Sequence, residues 1–316
     1  MPKVDLTQPL VFEPLFMERV WGGRRLESVY GKRLPSAALI GESWEIVDRP
    51  EVQSVVHEGP LRGRTLHQLW SKHRETIFGQ VPDTPRFPIL AKLLDAQENL
   101  SLQVHPPPHL AKELGGEAKS ELWYVADAAP KARLYAGLKK GCTRAGFAAA
   151  LERGKVEEQL HSIDIVAGDA IWLPSGRLHA LGGGSLLVEI QENSDTTYRV
   201  YDWNRMKKGR ERRKMHLDEA MRCIDFADYE PGLLRPEGES LIRHATFEVE
   251  KWLLGAEREI AERGSVAIGV CLTGELSCAG RDLKPGQFFL VPAQLKDRLL
   301  RPKGENVSLL RVTIPR

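Results

Sequence analysis

The chain has 316 residues, and at roughly 150 residues per domain it suits one large domain or two medium ones. Forty-five Lys and Arg against forty-three Asp and Glu leave a net charge of +2, so charge gives no case for nucleic acid or an anionic membrane as the main partner. Hydrophobic residues at 42% against 28% charged exclude a disordered tail, and 28 Gly with 20 Pro supply the many turns of a β-rich architecture.

From the N-terminus, residues 1–11 carry acid and base early and lack the apolar centre of a signal peptide. No run reaches the ~18 apolar residues of a membrane helix. Cys142, Cys223, Cys271 and Cys278 form no CxxC pair and read as reduced, buried thiols, so a soluble cytoplasmic protein is expected. Leu66, Leu69, Trp70 and Ile77 recur at near-helical spacing and predict a helix over 65–78. Short apolar runs at 87–94, 101–104, 121–125 and 132–137 predict strands. Thr143 caps a helix over 143–151, and further strands follow at 170–173 and 186–191. Residues 206–214 then hold six Lys and Arg with a single Glu. Without interleaved aromatics this run reads as a solvated loop, not a nucleic-acid surface. A helix is expected over 217–224. Pro231, Gly232, Pro236 and Gly238 mark a linker at 229–239, and the strand rhythm resumes at Leu241.

One segment occurs twice. Ile-Val-Ala-Gly-Asp-Ala-Ile-Trp-Leu-Pro, ending at Pro174, matches Leu-Lys-Pro-Gly-Gln-Phe-Phe-Leu-Val-Pro, ending at Pro292, position by position. Each is a Gly turn feeding an apolar strand that ends in Pro, which fits a duplicated β-barrel unit with one copy in each half. The first copy runs on through Ser175 and Gly176 to His179. That spacing resembles the second signature of the cupins, small double-stranded β-helix barrels in which the His is an inward-facing metal ligand. Gly168 permits the tight turn and Pro174-x-Gly176 a sharp bend into the next strand. The second copy has Asp297 where the His would stand, so a metal site is expected in the first copy only.

Gln103 and His105, two apart, share one face of their strand. With Glu121 and His179 they make a mixed nitrogen and oxygen donor set suited to zinc, with Mn, Co or Fe as possible substitutes. Glu189, Gln191 and Asn193 likewise share a strand face. The aromatic pair Trp123-Tyr124 reads as core and not as a sugar platform.

Beyond these positions the resemblance becomes close. Gln103-Val-His105-Pro, Lys119-x-Glu121, Pro174-Ser-Gly-Arg-Leu-His179-Ala and the run from Glu189 through Arg199 to Asp202 are similar to type I phosphomannose isomerases, as are Trp21-Gly-Gly and Gly41-Glu-Ser-Trp-Glu45. The match spans about residues 12–293, in the order of the short bacterial form. It implies a mainly β fold of two cupin-like barrels with helical insertions. Residues 1–205 would be the catalytic cupin domain, with insertions at about 63–80 and 143–160. Residues 206–240 would be a helical linker and 241–316 a degenerate cupin domain without metal ligands.

The resemblance further implies one zinc ion per chain, held by Gln103, His105, Glu121 and His179. It implies active-site roles for Lys119, Glu189 and Arg199, and substrate contact at Lys92. Ser101, on the face of Gln103, is a substrate-binding candidate and equally a structural hydroxyl. The expected partner is a small phosphorylated sugar, with no nucleic acid or membrane, and the chain is expected as a monomer or small homo-oligomer. The implied reaction interconverts mannose 6-phosphate and fructose 6-phosphate through an enediol or enediolate. Such a reaction wants a Lewis acid near O1 and O2, a positioned acid/base, and cations for a phosphate dianion. An isomerase of another sugar phosphate would keep the same ligands. An iron cupin oxygenase and a non-catalytic sugar-binding cupin are the readings from other classes. Glu121, Gln103 and the Lys and Arg set weigh against the former, and the lack of a helix-turn-helix module against a regulatory form of the latter.

Overall fold

A computed structural model describes residues 5–35, 37–205, 213–236 and 238–315. Antiparallel β-structure dominates. The strands in chain order are β1 (Leu15–Gly23), β2 (Ile40–Ile46), β3 (Ile89–Ala96), β4 (Leu102–Val104), β5 (Glu121–Ala128), β6 (Arg133–Leu138), β7 (Leu160–Asp164), β8 (Ala170–Leu173) and β9 (His179–Leu181). They continue as β10 (Ser185–Glu192), β11 (Tyr198–Tyr201), β12 (Ser240–Arg243), β13 (Glu248–Leu254), β14 (Arg258–Glu259), β15 (Ala267–Cys278), β16 (Arg281–Leu283), β17 (Phe288–Val291) and β18 (Leu299–Thr313). The α-helices are short: α1 (Arg25–Tyr30), α2 (Leu66–Lys72), α3 (Arg74–Phe78), α4 (Pro108–Ala111), α5 (Arg144–Glu152) and α6 (Leu217–Cys223). None among the described residues is long and apolar enough to cross a membrane.

Two compact units emerge, each gathered from separated stretches of chain. One comprises Met1–Leu15, Trp44–Lys92 and Arg235–Arg316; the other comprises Phe16–Ser43 and Leu93–Leu234. The six-stranded sheet runs β1-β2-β3-β10-β5-β8, and in the second unit the five-stranded sheet β11-β4-β9-β6-β7 buries one face against its strands β5, β8 and β10. Leu134, Ala136 and Leu181 of the smaller sheet meet Trp123, Val125, Ile171 and Leu187 of the larger one. Alternation sends Tyr135 and Ala180 to the opposite face, where Phe147 of α5 and Ala220 of α6 cover them. The first unit is built on the sheet β12-β13-β18-β15-β16, with β14 on β18 and β17 on β15. Its core gathers Trp252, Cys271, Phe289 and Leu309.

Predicted strands fall within two or three residues of observed ones. Thr143 caps α5 as expected, its hydroxyl accepting from Gly146 N–H at 3.1 Å. The helix expected over 65–78 is instead two helices. Thr65 and Gln68 form a capping box at the start of α2, and the chain turns at His73 (φ −133°, ψ 27°) before α3. The bend brings the Phe78 ring edge-on to Trp70 at 4.8 Å, a contact that sequence periodicity does not register. Of the basic run, residues 206–212 lie outside the described residues. All four cysteines are buried free thiols.

The repeated segment is a repeated structure. Gly168 (φ +97°) and Gly286 (φ +78°) both take the left-handed conformation that glycine tolerates. Gly168 N–H donates to Val125 O at 2.8 Å while Val125 N–H donates to Asp169 O at 2.8 Å; Gly286 and Cys271 repeat the exchange through Gln287 O, at 2.9 and 3.0 Å. Even the turn caps correspond: the Asp169 carboxylate accepts from Val166 N–H, and the Gln287 amide oxygen from Lys284 N–H. Strands β8 and β17 then pair antiparallel with β5 and β15. Registers Leu173↔Glu121 and Val291↔Ala267 make Ala267 the counterpart of Glu121 and Gly269 that of Trp123. Registers Trp123↔Glu189 and Gly269↔Arg311 make Arg311 the counterpart of Glu189.

Candidate metal centre

Strand β4 is the keystone of the site. It pairs with β9 through Gln103↔His179 and with β11 through Gln103↔Arg199, placing three of the expected residues side by side. The turn that the sequence marks as Pro174-x-Gly176 ties the pieces together. Gly176 (φ +94°) donates its N–H to His105 O at 2.9 Å, and the Ser175 hydroxyl accepts from Lys119 N–H at 3.0 Å. His179 follows at the start of β9, and Glu121 opens β5.

His105, Glu121 and His179 are all buried, and one donor atom from each lies within 4.8 Å of the others. His179 Nε2 is 3.3 Å from Glu121 Oε1, His105 Nε2 is 3.5 Å from Glu121 Oε2, and Gln103 Nε2 is 3.2 Å from His179 Nε2. A tetrahedral ion with bonds of ~2.0–2.1 Å separates its donors by about 3.3 Å, and the histidine–carboxylate distances here are of that size, so the cluster suits a small metal ion such as zinc. A half-turn of the Gln103 amide would present Oε1 where Nε2 stands.

The imidazoles are held in one tautomer. His105 Nδ1–H donates to Thr196 O at 2.8 Å and His179 Nδ1–H to Arg177 O at 2.9 Å, which leaves both Nε2 lone pairs for a metal. Burial, then the Lys119 charge, push the His105 pKa down to about 3, so the ring is neutral as a ligand must be. Burial opposes ionisation of Glu121, but the Lys119 ammonium beside it outweighs that cost and holds the carboxyl well below the usual carboxylate range.

Lys119 is the hub of the basic set. Its buried ammonium is 2.7 Å from Glu121 Oε2 and 3.4 Å from Glu189 Oε1. Burial works against that charge, and the two carboxylates overcome it, so Lys119 stays protonated above its ordinary value. The Glu189 carboxylate also accepts the Trp123 indole N–H at 3.1 Å. Arg199 donates Nε–H to the Ser101 hydroxyl at 3.2 Å and an Nη–H to Lys214 O at 2.9 Å. Among the described residues it has no carboxylate within ion-pair distance. Burial, then the Arg213 charge, depress its pKa from the ordinary value, and a bound anion would relieve both.

Gln103, His105, Lys119, Glu121, His179 and Glu189 thus gather at one cluster, with Arg199 beside Gln103 on β11 and Ser101 as its hydroxyl acceptor. Lys92 falls in the other compact unit, buried on β3 with its ammonium 5.6 Å from the Trp44 ring centroid. Three contributors escape sequence reasoning: the Thr196 carbonyl, the Trp123 N–H and Asp202. The Asp202 carboxylate is buried and accepts from both Arg205 and Arg213, the latter at 2.7 Å through Nε. Each sits in the run from Glu189 to Asp202 or beside Glu121, and that location was the signal available.

Comparison with known proteins identifies the family. The family model for the catalytic domain of type I phosphomannose isomerase matches residues 10–138. Mannose-6-phosphate isomerase ManA of Bacillus subtilis (strain 168) is 36% identical over 307 residues, 94% of each chain. The crystal structure of the mannose 6-phosphate isomerase from Bacillus subtilis superposes with a TM-score of 0.86 at 34% identity, covering 97% of this chain and all of that one. A mannose 6-phosphate isomerase bound with zinc and yttrium, 18% identical, shares the fold at a TM-score of 0.76 over 98% of this chain and all of that one. The chain belongs to the type I phosphomannose isomerases, a family of aldose–ketose isomerases.

Proposed function

We propose that the protein is a zinc-dependent mannose-6-phosphate isomerase, interconverting mannose 6-phosphate and fructose 6-phosphate through an enediol or enediolate. The observation that carries this reading is the pair of tautomer-locked imidazoles, His105 and His179, whose Nε2 atoms both face the buried Glu121 carboxylate. Those three residues and Gln103 would hold one zinc per chain. Bound there, zinc supplies Lewis acidity for charge developing on O1 and O2, an effect of several kcal/mol.

The chain's own residues do the rest. Glu189 takes the proton from C2 of the aldose and returns it to C1, while O1 gains a proton and O2 loses one. Lys119, fixed between Glu121 and Glu189, moves or stabilises the oxygen-borne proton; Lys119 as the carbon shuttle is the alternative assignment. Arg199, a guanidinium with no carboxylate partner among the described residues, binds oxyanion or phosphate, and family resemblance makes Lys92 a substrate contact. The Ser101 hydroxyl holds Arg199 through its Nε–H. Two cupin barrels, the second without ligands, are the architecture that the repeated turn and strand support. The buried free thiols, with burial pushing Cys271 and Cys278 up to about 12, suit a reducing cytoplasm.

Metal analysis and a coupled assay on mannose 6-phosphate, with and without chelator, test the reading together. Turnover that chelation abolishes and zinc restores is expected. A zinc-loaded sample that turns over another sugar phosphate but not this one would move the substrate assignment, and one without any isomerase activity would overturn the function.

A further inference from the structure

We propose that Trp123 is a positioning residue of the isomerase, setting the Glu189 carboxylate and the His179 ring, and is not merely core. The proposal rests on the proton role given to Glu189 above. Trp123 lies two residues beyond Glu121 on β5 and directly opposite Glu189 on β10. Its side chain is buried, and an indole N–H that loses water requires an acceptor. The acceptor is Glu189 Oε2 at 3.1 Å, while Oε1 of the same carboxylate faces Lys119 Nζ at 3.4 Å. Trp and Lys therefore address different oxygens and fix the carboxylate plane between them. The indole also stands edge-on to the His179 ring, with centroids 5.3 Å apart and planes at 85°. One rigid side chain thus touches both a proposed metal ligand and the proposed base.

The second copy of the repeated unit serves as an internal control. A position needed only for packing would keep its volume there, and the volume is kept, but on the partner strand. The facing pair Trp123–Ile171 becomes Gly269–Phe289, and a Cβ placed on Gly269 would lie 2.1 Å from the Phe289 ring. An aromatic ring fills the space in both copies. What disappears is the N–H donor, and it disappears together with the carboxylate it would hold, since Arg311 replaces Glu189. At these two positions donor and acceptor are present together or absent together, as expected where the indole serves the carboxylate and the packing is met separately.

The test is a double-mutant cycle on the zinc-loaded enzyme. Trp123→Phe keeps the aromatic volume and removes the donor. It is expected to retain one zinc, leave KM within about twofold and lower kcat about 10- to 100-fold, the range for losing a hydrogen bond to a charged group. Made in the Glu189→Gln background, the same change should cost less than about threefold, because the charge it orients is already gone. Should W123F fail to fold, the double variant W123G/I171F copies the packing of the second copy without an N–H and is expected to show the same loss of kcat. Equal losses in both backgrounds, or near-normal turnover in the folded variant, would overturn the positioning role. Near-normal turnover in E189Q alone would instead remove the proton role of Glu189, and the present proposal with it.

Discussion

Where the first copy of the turn–strand unit has Glu121, Trp123 and, on the facing strand, Glu189, the second has Ala267, Gly269 and Arg311. His179 gives way to Asp297, which is partly exposed and pairs with Arg301 four residues on. The backbone does the same thing in both places, down to the hydrogen bonds that cap the glycine turn. A strand-and-turn scaffold therefore specifies where inward side chains stand, and not what they do. In the first copy those positions hold a buried carboxylate, which needs cationic or metal partners to be tolerated. In the second the corresponding places are filled by small residues and the Phe289 ring. The charge at the Glu189 counterpart, Arg311, is satisfied by Glu250 at 2.9 Å and the Ile260 carbonyl.

Paired substitutions break the comparison most forcefully. His179→Ala removes a proposed ligand and is expected to lower turnover about a thousandfold with loss of bound zinc. Asp297→Ala at the matching position should leave turnover and zinc unchanged, with a stability change within about 1 kcal/mol, the scale of an exposed ion pair. A loss of activity in D297A measured by the coupled assay would mean the second copy takes part in the chemistry.

Packing offers a second contrast, of intermediate size. Gly269→Ala forces a methyl against Phe289 and should cost about 1–3 kcal/mol in denaturant unfolding, with kcat untouched. A stability unchanged by G269A would show that the ring moves freely and that the exchange of volume between strands is not tight.

Acid should act on the first copy before the second. In the metal-free protein His105 is buried neutral, its pKa lowered to about 3, so the unfolded chain binds more protons as pH falls below about 6.5. Glu121, held below its ordinary value, adds the same sign below about 4.5. Stability is therefore lost as pH falls from about 6.5 toward 3. On the alkaline side Lys119, held above its ordinary value, contributes stability that persists below about 10.5 and fades above its raised pKa. Urea unfolding across pH reads this directly; a flat acid limb would contradict the buried neutral histidine.

Much of the fold is written in local pattern. Strands announced themselves as short apolar runs because each is bounded by Gly, Pro or Asn, and the repeated unit was visible because its turn requires a glycine at Gly168 and Gly286. The two interleaved compact units were not visible, since which stretches pack together depends on contacts far apart in sequence. Nor was the break at His73, where side-chain packing of Trp70 and Phe78 prevails over helical period. Of the site, the side chains with diagnostic chemistry were legible: Gln103, His105, Glu121 and His179 by type and spacing, Lys119, Glu189 and Arg199 through family resemblance. What holds them was not. The Thr196 carbonyl reaches His105 across 91 residues, and any residue type could supply it. Trp123 looked like core because nothing in a sequence says which acceptor a buried indole will find.

The proposed confinement of metal chemistry to the first copy is tested most directly by zinc stoichiometry in the wild type and in H179A. One zinc per chain in the former and none in the latter is expected. Two zinc ions per chain, or one retained in H179A, would contradict it.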